Sequence, residues 1–290
     1  MSNGFEKICY DSQPGFRLHH TLGHEAGAST LGYFHTSNTY IMICFIHGTG
    51  NIKVEGNAYD IHEGDLVLLN PQDLFLCTVD DAVYHERMVL YFQEDILRGT
   101  PYDSKDLFRP FLAAPVGVGN HLSATSIEYL GIRTDFEELL QAFQNTNNTF
   151  LTFAKAITIL AKLNMITPTI ITPHPGNEAN KRIADVLHYL NNHYAEDIHI
   201  AQIADAFSLN KSYLAHQFKA HVGMSLWNYV ILKRLHAFNE LIRNGSFIED
   251  ACWQVGFQNY SNFFRLYKKH MGITPMQFKK QQKEKQSGNP

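Results

Sequence analysis

Asn259, Tyr260, Ser261, Asn262, Arg265, Lys268 and Lys269 form a short run with the chemistry to recognise a nucleic acid. An arginine can donate two hydrogen bonds to O6 and N7 of one guanine, which makes Arg265 the first candidate for base contact. Lys268 and Lys269 suit phosphates, which give salt-dependent affinity without sequence information. A second set lies upstream: Lys211, Ser212, Ala215, His216 and Lys219. Small and polar side chains there leave room for base edges and phosphate oxygens. Asn210 precedes this set and is suited to N-cap a helix, because its side chain can accept from free first-turn amides.

Both sets sit on one repeated framework. IADAFSLNKSYLAHQFKAHVGMSLWNY and ACWQVGFQNYSNFFRLYKKHMGITPMQF share a pattern. Leu214, Phe218, Gly223, Ser225 and Tyr229 fall opposite Phe263, Tyr267, Gly272, Thr274 and Phe278 at a single offset of 49. Ile200, Ile203, Ala204 and Phe207 mark the buried stripe of a first helix, and Ser208-Leu209 turns the chain into a second. Val255, Phe257, Phe263 and Tyr267 form the equivalent core stripe, Gly256 permits the turn, and Phe264 is assigned to the core with them. The spacing predicts two helix-turn-helix units, each placing its second helix in a major groove. A helix over 182–194 precedes them. A longer one over 226–245 is a rigid spacer that would hold both reading helices on one duplex face, about one turn or 10 base pairs apart.

The formal net charge of −4 hides an asymmetry. Residues 1–175 carry 10 Lys/Arg against 19 Asp/Glu, and residues 176–290 carry 14 against 9. The C-terminal part can approach phosphates, and the N-terminal part is repelled from them. No run of 18 apolar residues predicts a membrane span, and MSNGFEKICYDSQPGF lacks the layout of a secretory signal. Cys9, Cys44, Cys77 and Cys252 are scattered without a C-x-x-C. They read as small buried hydrophobes in a reducing cytoplasm, the expected compartment.

Upstream, YIMICFIHG, NIKVEG, DLVLLN, LFLCTV and ERMVLYF read as short strands separated by turn residues, the pattern of a sandwich or small barrel. From Ile127 the period becomes helical. DFEELLQAFQ and FLTFAKAITILAKLNMI place apolar residues at three- and four-residue spacing. This helix pair either provides a dimer seam or covers the barrel's own core. TPTIITPHPGNEAN reads as a linker. The predicted architecture is α+β: an effector-binding and dimerisation domain over 1–166, a linker over 167–180, a DNA-binding domain over 181–280 and a polar, frayed tail over 281–290.

Residues 181–280 resemble the DNA-binding domain of the AraC/XylS family of bacterial transcription regulators. The resemblance rests on Ile203-Ala204, SYLAHQFK (212–219), Gly223, Tyr229, Lys233-Arg234-Leu235, Val255-Gly256-Phe257, SNFFRLYKKHMGITP (261–275) and Phe278. It implies contacts from Ser212, Ala215, His216, Tyr260, Ser261 and Arg265. The sequence departs from the family at Ala251-Cys252-Trp253 and at Phe207-Ser208, where a small residue and glycine are common. GNIKVEGNAYDIHEGDLVLLNPQDL (50–74), with Gly64-Asp65 at its turn, and YHERMVLYF (84–92) resemble the family's cupin-like effector barrel.

Related barrels hold a divalent ion with His and Glu, but no H-x-H occurs here. Ser37 and Ile41 stand at ligand positions near His35, and Phe75 follows the Pro71 turn, so no metal and no cofactor is expected. His47, His62 and His85 read as strand-edge or loop residues. The effector is then organic, with Arg17, His19, His20 and His35 as candidate contacts at the barrel mouth; the resemblance makes a sugar one candidate class. It further implies a homodimer, RNA polymerase as a partner, and activation of catabolic or uptake genes. Two other readings stay open: an effector-independent DNA binder with a vestigial barrel, and a metal-cupin enzyme.

Overall fold

A computed structural model describes residues 6–12, 15–23, 39–71, 73–79, 84–98, 100–112, 119–145, 148–166 and 178–287. The chain divides into two compact units, Met1–Pro175 and Gly176–Pro290.

The first unit is built on strand β3 (Tyr40–His47), whose residues Tyr40 to Ile46 are all buried. Its two faces serve two cores, which is why it reads as a continuous apolar run rather than an alternation. Ile41, Ile43 and Phe45 face a core shared with Ile52, Val54, Tyr59, Ile61, Val67 and Leu69. Tyr40, Met42, Cys44 and Ile46 face a second core on the opposite side. The remaining strands are β1 (Glu6–Ser12), β2 (Phe16–Gly23), β4 (Gly50–Val54), β5 (Asn57–Ile61), β6 (Leu66–Leu69), β7 (Phe75–Val79), β8 (His85–Phe92) and β9 (His121–Leu122). They form an antiparallel sheet ordered β1-β2-β8-β3-β6-β9 and a smaller one ordered β5-β4-β7. Among the described residues these two sheets do not close into one hydrogen-bonded ring, so the β-rich domain has the form of two facing sheets rather than the expected barrel.

Two details differ from the sequence reading. The tight hairpin turn is at Glu55-Gly56, where both residues have positive φ (48° and 87°). That is the geometry of a two-residue turn matched to strand twist. Gly64-Asp65 instead lies where the chain crosses from the small sheet to the large one. There the buried Asp65 carboxylate accepts from the amides of His62 and Ala124 and from His121 Nε2 at 2.8 to 2.9 Å. The second difference is that β1 and β2 are strands, and add two members to the large sheet's edge.

Short helices α1 (Ser104–Leu107), α2 (Arg109–Leu112) and α3 (Ala124–Ile127) lead to the longer α4 (Ile132–Asn145) and α5 (Thr149–Leu163). Phe136 and Leu139 of α4 and Ala156, Ile159, Leu160 and Leu163 of α5 pack on the second β3 core. The helix pair therefore covers the large sheet. Lys155 to Glu138 (2.7 Å) and Lys162 to Asp135 (2.6 Å) tie the two helices together. Of the four cysteines, Cys44, Cys77 and Cys252 are buried, and Cys9 is exposed, contrary to the reading that groups it with them.

The second unit is helical: α6 (Glu178–His193), α7 (Ile200–Ala206), α8 (Lys211–Val222), α9 (Leu226–Arg243), α10 (Ile248–Gln254), α11 (Tyr260–Met271) and α12 (Pro275–Ser287). The expected linker thus ends in the first turn of α6, and the segment expected to be a frayed tail continues α12 as far as Ser287. No helix among the described residues is long and apolar enough to cross a membrane.

Candidate functional site

The helix pairs α7–α8 and α10–α11 are built alike. Each first helix ends by turning into the left-handed region, at Ser208 (φ 53°) and at Gly256 (φ 89°). In each turn an amide reaches back five residues, Leu209 to the Ala204 carbonyl (2.7 Å) and Phe257 to the Cys252 carbonyl (3.2 Å), which satisfies a helix-end acceptor. The first helices therefore correspond at an offset of 48, while the second correspond at 49. The second turn is one residue longer, and Gln258 and Asn259 stand before α11 where Asn210 alone stands before α8.

The caps explain why α8 and α11 begin where they do. Asn210 Oδ1 accepts from the amides of Ser212 (2.8 Å) and Tyr213 (3.4 Å). Asn259 Oδ1 accepts from the amide of Asn262 (2.9 Å). Both asparagines are candidate DNA contacts, and both spend their side-chain oxygen on the helix, leaving the amide NH2 as the group each can offer a ligand. Both helices end on a left-handed glycine, Gly223 and Gly272.

Burial then sorts the faces. Leu214, Phe218 and Val222 of α8 and Phe263 and Tyr267 of α11 are buried. Lys211, Ser212, Ala215, His216 and Lys219 are exposed, as are Tyr260, Ser261, Asn262, Arg265, Lys268 and Lys269. At the offset of 49, Ser212, Ala215, His216 and Lys219 correspond to Ser261, Phe264, Arg265 and Lys268. Arg265 Nη2 donates to Asn262 Oδ1 at 3.0 Å, so the guanidinium is steadied one helical turn from its own Cα. Phe264, assigned to the core from sequence, is 37% exposed and stands in the outward row.

Sequence reasoning also missed what holds the two helix pairs together. Arg234 of α9 is buried at 5% exposure, and its guanidinium donates to three backbone carbonyls. Nε reaches Tyr194 (2.7 Å), Nη2 reaches Glu196 (2.7 Å) and Nη1 reaches Gly256 (2.8 Å). Tyr194 and Glu196 precede α7, and Gly256 is the turn before α11, so one side chain bridges both helix pairs. Burial lowers the guanidinium pKa, and the Asp197 carboxylate works against that shift. Arginine's planar fork is suited to donating several hydrogen bonds at once. Tyr229 Oη to Asn191 (2.9 Å) and Tyr267 Oη to Asn239 (2.6 Å) anchor α9 further.

In the first unit, the candidate effector residues separate. Successive strand residues point to opposite faces. Arg17 and His19 lie opposite Tyr91 and Val89, on the face shared with the inter-sheet core. Arg17 sits 5.0 Å from the Tyr91 ring centroid and His19 4.7 Å from it. Arg87 also acts electrostatically on Tyr91, which burial pushes above its ordinary pKa while Arg17 and Arg87 pull it down. His20 separates from these two. It lies opposite Met88 on the helix-covered face, where its Nε2 meets Glu86 Oε1 at 2.7 Å in a partly buried pair. It does not share a face with Arg17 and His19. His35 lies outside the described residues. Among the described residues, no three His, Cys, Asp or Glu side chains gather as metal ligands.

Comparison with known proteins places both halves. Residues 19–157 match the model of an AraC-like ligand binding domain, and residues 203–281 match a helix-turn-helix domain model. The chain is 33% identical over 100 residues to the uncharacterized HTH-type transcriptional regulator YdiP of Escherichia coli (strain K12), covering 34% of this chain and 33% of that protein. It thus spans only about a third of that relative's length. It is 22% identical over 258 residues to the HTH-type transcriptional activator RhaS of Enterobacter sp. (strain 638), covering 84% and 86% of the two chains. It is 25% identical over 249 residues to the arabinose operon regulatory protein of Salmonella typhimurium (strain LT2), covering 83% of each.

Proposed function

From a chain that belongs to the AraC/XylS family of transcription regulators, we infer a sequence-specific DNA-binding regulator whose N-terminal unit takes a small organic effector. The carrying observation is the repeated outward row on α8 and α11, two capped helices with the same burial phase, bridged by the buried Arg234. The rows Ser212–Ala215–His216–Lys219 and Ser261–Phe264–Arg265–Lys268, with Lys211, Tyr260, Asn262 and Lys269 at their margins, address two adjacent major grooves of double-stranded DNA. Asn210 and Asn259 contribute through their amide nitrogens. Arg265 reads a guanine, and Lys219, Lys268 and Lys269 meet phosphates.

The effector site is the inter-sheet face of β2 and β8, where Arg17 and His19 surround Tyr91. A sugar suits such a site, because polar groups beside an aromatic ring fix the orientation of a polyol. Two relatives named above, a transcriptional activator and an arabinose operon regulatory protein, favour activation; the family resemblance alone extends this to uptake or catabolic genes, a homodimer and RNA polymerase as a partner. The effector acts only to the extent that it binds the DNA-competent state better than the other.

Selection of duplexes from a random pool by the full chain tests this reading. The expected result is a motif of two sequence blocks, with affinity that changes when a sugar panel is added. A pool that stays random, at salt concentrations where phosphate contacts still hold, would overturn it.

A further inference from the structure

We propose that Phe264, with Tyr260 beside it, packs on the 5-methyl group of a thymine in the operator half read by α11. This rests on the DNA-reading role of α11 proposed above and adds a chemical identity to one operator base. Phe264 follows the buried Phe263 by one residue, which rotates it about 100° away from the core stripe. It lies one helical turn from Tyr260 and from Lys268, both exposed, and next to Arg265. Tyr260 and Phe264 are 38% and 37% exposed, with ring centroids 6.4 Å apart, and form an apolar wall along a basic row.

That combination fits one occupant. Arg265, Lys268 and Lys269 favour a polyanion, and the aromatic wall favours an apolar group within it. In a duplex major groove the thymine methyl is the apolar group that base edges present. Stacking on a base face would require an unpaired strand. The corresponding positions of α8 are Lys211 and Ala215, so the first helix pair has no such aromatic wall, and the preference belongs to one operator half.

The test uses the full chain and its selected duplex, resynthesised with deoxyuridine in place of thymidine at each position in turn. Loss of the methyl at one or two positions in the α11 half should weaken binding about three- to fivefold, the worth of one buried methyl-sized group. Substitutions in the α8 half should not. Phe264→Ala should abolish the difference between thymine and uracil while keeping the guanine dependence, and Phe264→Leu should keep part of it. Arg265→Ala should do the reverse. Equal affinity for thymine and uracil throughout the α11 half would overturn the proposal, as would a Phe264→Ala protein that still tells them apart. Failure to select any duplex is a different result, which removes the DNA-reading role itself; a preference for single-stranded over duplex oligonucleotides would replace the methyl contact with stacking.

Discussion

Arg234 donates through Nη1 to the carbonyl oxygen of Gly256 at 2.8 Å, joining the helix between the two helix-turn-helix units to the turn of the second one. The same guanidinium holds the Tyr194 and Glu196 carbonyls ahead of the first unit. Arg234→Met leaves three carbonyls without this donor and should destabilise the C-terminal unit by about 3 kcal/mol. Arg234→Lys should recover only part of that, because an ammonium cannot present the same fork. Urea denaturation of the full chain, followed by Trp227 and Trp253 fluorescence, measures both. A lysine variant as stable as the parent contradicts the role of the fork.

Gly256 and Gly272 both have positive φ, but their surroundings differ. A Cβ at Gly256 would overlap the backbone of Ala195, whereas one at Gly272 would have nothing within 4 Å. Gly272→Ala should therefore cost about 1 kcal/mol, the price of the left-handed conformation alone. Gly256→Ala should cost clearly more, because the turn must also move. Equal losses would mean that the close approach to Ala195 is not a constraint.

Ser208 occupies in the first turn the left-handed position that Gly256 occupies in the second. Ser208→Gly should stabilise the unit by about 0.5–1 kcal/mol, since relief of left-handed strain exceeds the added freedom of the unfolded chain. A lowered thermal midpoint would contradict this.

Arg265 and Lys268 should separate in DNA binding. Arg265→Ala should lose about 1–3 kcal/mol at one operator position and relax preference there. Lys268→Ala should weaken all sequences alike and reduce the salt slope by about 1. Fluorescence anisotropy against the selected operator and its point variants, across a salt series, distinguishes the two. A loss confined to one base pair for Lys268→Ala would refute its assignment to a phosphate.

Asp65 supplies a pH dependence. Burial works to raise its pKa, but bonds from His121 and from the His62 and Ala124 amides outweigh burial and hold it below its ordinary value. A carboxylate lowered in the folded state stabilises fully above its unfolded pKa of about 4, and that contribution is lost as pH falls through the folded value. Asp65→Asn should therefore lower the N-terminal unit's stability at pH 7, with the deficit shrinking on acidification below about pH 4. A deficit that is constant across pH would assign the loss to packing instead.

The helical half was legible because its signals are local. Leu214 and Phe218 set the phase of α8, and Asn210 and Gly223 mark its ends without reference to the rest of the fold. Phe264 was misread because its apolar type outweighed its phase, one residue past the core stripe. Arg234 was visible only as part of a resemblance, since its three acceptors lie 22 to 40 residues away in sequence. The strand half was less legible at its edge. In β2 the residues Phe16 and Leu18 alternate with Arg17 and His19, so a single apolar face is spread over a short segment. Which face His20 takes depends on its register with Met88, and pairing between distant strands is not a local property. The division into two sheets follows from the crossings at Gly48-Thr49 and at Asp65, neither of which hydrophobic period reveals.

In the proposed function α8 and α11 read one duplex together, and hydroxyl-radical footprinting of the full chain on its selected operator checks this. Two protected windows should appear on one face of the DNA, centred about 10 base pairs apart, with the window lost in Arg265→Ala distinct from the one weakened in His216→Ala. A single window, or two that respond identically to both substitutions, would contradict it.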